Sequence, residues 1–117
     1  MDDSASLLPG TLDLMVLRVL ADRPMHGWGI GERLTQQSQE VFRVNQGSLY
    51  PALQRLRRQG WIQAEWQRSE ANRRARYYSL TPAGARRLDV EVRAWERAKG
   101  AVDRVLRGEE WPGPAAT

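Results

Sequence analysis

Residues 44–60 join a polar, glycine-containing lead-in to a short amphipathic segment that stops at Gly60. Leu49, Leu53 and Leu56 are spaced four and three apart, so they line one face of a helix. Ser48, Gln54, Arg55 and Arg58 take the other face, and all can hydrogen-bond to phosphates or base edges. Directly after Gly60 the pattern changes period: Trp61, Gln63 and Glu65 alternate with Ile62, Ala64 and Trp66, as in a strand. A short helix of this kind, abutting a strand, points to an α+β, mainly α fold in which the rest of the chain supports one outward-facing helix.

The start of that helix has two readings. With Asn45 as N-cap, Pro51 falls past the first turn, where its ring crowds the carbonyl of Gly47 and a backbone donor is missing. With Ser48 as N-cap, Pro51 falls at the third helical position and no hydrogen bond is lost. After the first strand, residues 67–75 hold three arginines and no large apolar side chain, and Arg76-Tyr77-Tyr78-Ser79-Leu80 reads as a second strand. Strand, basic tip and strand form a hairpin, and directly after a recognition helix such a hairpin is a wing. Its Arg68, Arg73, Arg74 and Arg76 are candidate phosphate or minor-groove contacts, against the plainer reading of an exposed tip.

Ahead of this unit, Thr11 is a candidate N-cap for a first helix. Leu12, Met15, Val16, Val19 and Leu20 repeat at helical spacing, with an end expected near Arg23-Pro24. Met25 to Gly31 reads as a turn into a second helix reaching about Gln39. Gly27, Gly29 and Gly31 form a GxGxG pattern, which cradles phosphates only after a strand. Here a helix precedes it, so close packing beneath the recognition helix is the expected role. His26 is the only histidine and lacks partner ligands for a metal; it is expected to cap or hydrogen-bond in the turn.

Thr81-Pro82 starts a last helix, with Thr81 at the N-cap and Pro82 at the first helical position. Leu88, Val92, Trp95, Ala98 or Lys99, Val102 and Leu106 then follow at spacings of four and three, a coiled-coil-like seam. At 1.5 Å per residue this helix extends about 37 Å, more than so small a domain covers, so the seam is expected to meet another chain. Residues 1–6 are assigned to a flexible N-terminus and 7–80 to a winged helix-turn-helix DNA-binding domain. Residues 81–107 are assigned to a C-terminal dimerisation helix and 108–117 to a flexible tail.

Composition narrows the function classes. The net charge is +4, and Lys99 is the only lysine, so the basic side chains are almost all arginines suited to bidentate contacts with phosphate or guanine. There is no cysteine, hence no disulfide framework or thiolate metal site. No Ser/His/acid triad and no isolated carboxylate pair is visible, so neither an enzyme nor a cofactor is expected. No apolar run approaches the roughly 18–20 residues that span a bilayer, and Met-Asp-Asp-Ser does not begin a secretory signal. A cytoplasmic protein is expected.

Several stretches together resemble the PadR family of bacterial transcriptional regulators. They are Gly10-Thr11-Leu12-Asp13-Leu14, Met25-His26-Gly27-Trp28, Gly47-Ser48-Leu49-Tyr50-Pro51-Ala52-Leu53, Gly60-Trp61-Ile62, and Arg76 to Gly84. They lie in family order across roughly residues 7–95, and the single helix after the wing is similar to the family's short C-terminal form. The resemblance implies a homodimer on a pseudo-palindromic DNA operator, with two recognition helices in successive major grooves. It also implies dimerisation through the last helix packed partly on the partner's first helix, repression of its own or adjacent genes, and release by a small aromatic or drug-like effector.

On this basis Gln54 is a candidate reader of adenine and Arg55 of guanine, with Arg58 beside them. Ser48 and Gln46 lie near the helix start for phosphate or base, and Tyr50 is either a phosphate contact or a core residue. Leu88, Val92, Trp95, Val102 and Leu106, with Met15 and Val19, are the candidate dimer interface. Trp95 either packs there or stacks on an effector beside Met15 and Val19. Trp28, Gln46 and the wing tip Glu70-Ala71-Asn72 depart from the family's usual Tyr, Pro and Gly/Pro-rich residues. The competing class is a winged-helix module that binds an acidic protein partner or RNA without an operator.

Overall fold

The computed structural model describes residues 10–114, so the expected fraying of residues 1–6 lies outside the described residues. The elements in order are α1 (Thr11–Leu20), β1 (Met25–His26), α2 (Gly27–Gln37), α3 (Gln46–Arg58), β2 (Ile62–Arg68), β3 (Arg74–Leu80) and α4 (Pro82–Leu106). β2 and β3 form an antiparallel hairpin in the register Ile62↔Leu80 to Arg68↔Arg74. β1 pairs with the other edge of β3, giving the order β1-β3-β2. This is a winged helix-turn-helix with a long C-terminal helix.

The core lies where α1, α2 and α3 meet the base of the sheet. Val16, Leu17, Ile30, Leu49, Leu53 and Leu56 are fully buried there, each contributing about 1.5–3 kcal/mol relative to an exposed side chain. α1 touches α2, α3, β3 and α4, which explains why it is apolar around most of its circumference. Its N-cap is Gly10 in the left-handed region (φ 82°), not Thr11, and it ends at Leu20, three residues before the expected boundary. α2 ends at Gln37, two residues before the expected Gln39. Gln39 and Glu40 both take positive φ and reverse the chain toward α3.

Asn45 caps α3, its Oδ1 accepting from the Ser48 N–H at 2.9 Å, so the first of the two readings holds and Pro51 sits inside the helix. The stop at Gly60 is a Schellman motif: the Trp61 N–H donates to the Leu56 carbonyl and the Gly60 N–H to the Arg57 carbonyl, with Gly60 at φ 76°. Thr81 caps α4 as expected. Its Oγ1 accepts from the Gly84 N–H at 3.0 Å and donates to the Gly60 carbonyl at 2.7 Å, joining the end of α3 to the start of α4.

α4 runs 25 residues. Leu88 packs on the domain's own core rather than standing free at a seam. Beyond it the apolar stripe is open: Trp95 is 39% exposed, Val102 54% and Leu106 78%. Residues 108–114 form neither helix nor strand, and Trp111 is exposed.

Candidate nucleic-acid interface

Leu49, Ala52, Leu53 and Leu56 point α3 into the core, which turns Tyr50, Gln54, Arg57 and Arg58 outward. Two glycines let α3 sit close to α2. A Cβ at Gly27 would approach the Tyr50 hydroxyl to 3.2 Å, and one at Gly31 would approach the Val44 carbonyl to 3.3 Å. The GxGxG pattern thus serves packing at its two ends. Its middle glycine leaves room for His26, whose Nδ1 accepts the Gly29 N–H at 3.0 Å and caps α2.

The wing continues from the same scaffold. On one sheet face Ile62, Ala64, Tyr78 and Leu80 close the core. The same face then carries Trp66, Arg76, Arg74 and Arg68 toward the tip, since side chains alternate along each strand. The tip is held by the Ser69 N–H donating to the Arg73 carbonyl at 2.8 Å, with Asn72 at φ 56°. Burial pushes the Tyr78 hydroxyl above the ordinary tyrosine value, so it stays neutral at the base of the wing.

Between α3 and the wing opens a groove of about 800 Å³. Tyr50, Gln54 and Arg57 form one wall, Trp66, Arg73, Arg74 and Arg76 the other, and His26 and Trp28 stand at the α2 end. Among the described residues, four arginines line it and no carboxylate does. Among the described residues none of these arginines forms an ion pair, whereas Arg18, Arg33, Arg55 and Arg87 all do. A concave surface with uncompensated guanidiniums, aromatic edges and a glutamine on a projecting helix suits a polyanion.

The expected contacts divide accordingly. Tyr50, Gln54, Arg73, Arg74 and Arg76 come together in the groove, and Arg58 stands beside Gln54 and Arg57 on the outer face of α3. Tyr50 is 47% exposed, so core burial is excluded for it. Arg68 donates to the Asn72 carbonyl and Oδ1, both at 3.3 Å, and braces the tip. Ser48 is exposed, and Gln46 is half-buried with its amide laid along Gly27 and Gly31.

Arg55 does not face the groove. Its Nη2 donates to Asp13 Oδ1 of α1 at 2.8 Å and its Nε to Oδ2 at 3.4 Å, and the Asp13 carboxylate holds the guanidinium above its ordinary value. Arg57 lines the groove and Arg55 does not. The spacing Tyr50, Gln54, Arg57 is four and three, a signal that was available in the sequence. Trp28 and Trp66 also enter the groove, and only their exposure in the fold reveals it (65% and 56%).

Val19 is 3% exposed inside the chain's own core, so it offers no side chain to a partner or an effector; its neighbour Met15 is half-buried against the same core. Val92 is half-buried on α4. Among the described residues, no group of three or more His, Cys, Asp or Glu is placed to hold a metal ion. Nor is any helix among them long and apolar enough to cross a membrane.

A protein-family model described as the transcriptional regulator PadR-like family matches residues 16–90. A transcriptional regulator from Mycobacterium tuberculosis is 37% identical over 83 residues, covering 71% of this chain and 74% of that protein. The crystal structure of a PadR family transcriptional regulator from Eggerthella lenta superposes with a TM-score of 0.71 at 28% identity, covering 83% of this chain and 82% of that one. A PadR-like transcriptional regulator from Bacillus cereus shares the fold, with a TM-score of 0.77 at 24% identity over 90% of this chain and 100% of that one.

Proposed function

This chain belongs to the PadR-like family of transcriptional regulators, and from that premise we propose that it is a homodimeric repressor of a pseudo-palindromic operator. The observation that carries the reading is the basic groove beside the outer face of α3, lined among the described residues by four arginines and no carboxylate. An α-helix is about as wide as the B-DNA major groove. With α3 in that groove, Gln54, Arg57 and Arg58 reach base edges, while Tyr50, Arg73, Arg74 and Arg76 meet the backbone. Ser48 and Gln46 sit at the helix start, within reach of the same strand.

The uncovered stripe Trp95, Val102 and Leu106 on α4 supports pairing with a second copy. In the dimer we place the effector between paired α4 helices, with a small aromatic compound stacking on Trp95 and releasing the DNA. Met15 can border that site; Val19 cannot.

The reading is tested by footprinting the DNA upstream of the chain's own gene at moderate salt, with excess random competitor. Two protected half-sites about one helical turn apart are expected. Lack of any protected site, with retained binding to RNA or an acidic protein, would transfer the basic groove to the competing interaction-module reading. A ligand screen scored by loss of the footprint and quenching of Trp95 fluorescence tests the effector.

A further inference from the structure

Trp66 lies on β2 with 56% of its surface open, on the sheet face that continues outward from the core. Its cross-strand partner is Arg76, whose Cζ lies 5.9 Å from the ring centroid, and the Arg74 Cζ lies 4.8 Å from it. Arg55, Arg18 and Arg33 are each held by a carboxylate. Arg74 and Arg76 are held by an indole face instead, through attraction between the guanidinium and the ring quadrupole. A carboxylate would neutralise the arginines it positions. An indole positions them and leaves both charges available.

The groove around the ring presents the Arg74 and Arg76 guanidiniums and, among the described residues, no carboxylate. An oxygen entering beside Trp66 therefore faces two cations and belongs to an anion.

We infer that the space beside Trp66 is a seat for one DNA backbone phosphate, gripped by Arg74 and Arg76, with Trp66 as the positioning residue that holds both. The inference rests on the DNA-binding reading above and adds to it a named phosphate site and an indole that works through its neighbours. Phosphate contacts carry no sequence information, so the seat strengthens operator and random DNA alike. The loss of Trp66 therefore registers in counterion release and leaves base discrimination intact.

The test titrates the full chain against a random-sequence duplex and against the upstream fragment over a series of salt concentrations. Trp66→Ala is expected to weaken binding to both DNAs about tenfold, the effect of two cation–π contacts. It also flattens the log–log salt dependence by up to about 0.9 for each phosphate released. Trp66→Phe keeps a ring face and retains most of the affinity and slope. In an Arg74→Ala/Arg76→Ala background, Trp66→Ala adds nothing further. The open position of Trp66 leaves the thermal midpoint unchanged, and the Phe variant carries the comparison should the Ala variant unfold.

Wild-type affinity and slope in Trp66→Ala overturn the seat. So does lost affinity at an unchanged slope, or a loss additive to that of the arginine variants, since the indole would then touch DNA itself. Wild-type protein that binds neither duplex at low salt sinks the DNA-binding reading as a whole. Firm wild-type binding with an indifferent Trp66 sinks the seat alone.

Discussion

On α3, Arg55 reaches back to Asp13 of α1, while Arg57, two residues further on, faces the wing. Both are arginines on one exposed helix, and although the spacing from Tyr50 and Gln54 marks Arg57, nothing local marks Arg55 as turned away. What turns Arg55 away is a partner 42 residues off in sequence, which no local pattern reveals. The pair is half-exposed, so it contributes only about 0.2–1 kcal/mol to stability, but it fixes where the guanidinium points. Arg55→Ala is accordingly expected to leave operator affinity within about twofold. Arg57→Ala costs about tenfold, the lower part of the 1–3 kcal/mol range for a bidentate base contact. Equal losses for the two variants in a gel-shift titration would return Arg55 to the DNA-reading face.

Between elements, the junction of α3, β2 and α4 is the most tightly constrained. Thr81 bonds both the Gly60 carbonyl and the Gly84 N–H. A Cβ at Gly84 would lie 1.9 Å from the Trp61 carbonyl oxygen and 2.8 Å from Leu80 Cδ1. No rotamer change relieves a clash with backbone, so α4 must move away from the hairpin. Gly84→Ala is expected to lower unfolding stability by about 3 kcal/mol, the upper part of the usual overpacking range. Urea denaturation measures it, and a midpoint within error of wild type would show that the junction yields freely.

The sequence showed this junction only in part. Thr81-Pro82 announced the cap and Gly60 the helix stop, because capping is local chemistry. The demand on Gly84 arises from a carbonyl on another element and has no local signature. The two-residue strand β1 was missed for a related reason: a pair of residues has no periodicity, and Met25-His26 becomes a strand only because β3 lies beside it. The hairpin was legible from its period, although its strands extend two residues further toward the tip than the pattern suggested. The groove was half legible. Its basic residues were marked by composition, while no local pattern marks Trp28 and Trp66 for the groove, where the fold leaves them in the open.

For the whole molecule, the radius of gyration of 17.7 Å exceeds the roughly 13 Å of a compact domain of this size. The excess is α4 projecting from the winged domain. On its distal half Ala101, Val102, Val105 and Leu106 form an apolar hollow, with Val105 79% and Leu106 78% exposed. Among the described residues no side chain covers them, so charging them disturbs little of the monomer's own packing. Val102→Asp combined with Leu106→Asp is therefore expected to leave the circular dichroism spectrum and thermal midpoint of the winged domain unchanged. Sedimentation at micromolar concentration is expected to report the proposed dimer for the wild type and a monomer for the double variant. Joining two half-site readers raises effective affinity by about 10²–10⁴-fold without any new DNA contact. The monomeric variant should lose operator binding on that scale while keeping its weak affinity for random DNA, which needs only one basic groove. A double variant that remains a dimer would place the subunit contact elsewhere on the chain. One that becomes monomeric yet binds the operator as tightly as wild type would show that a single α3 and its wing supply the whole of the recognition.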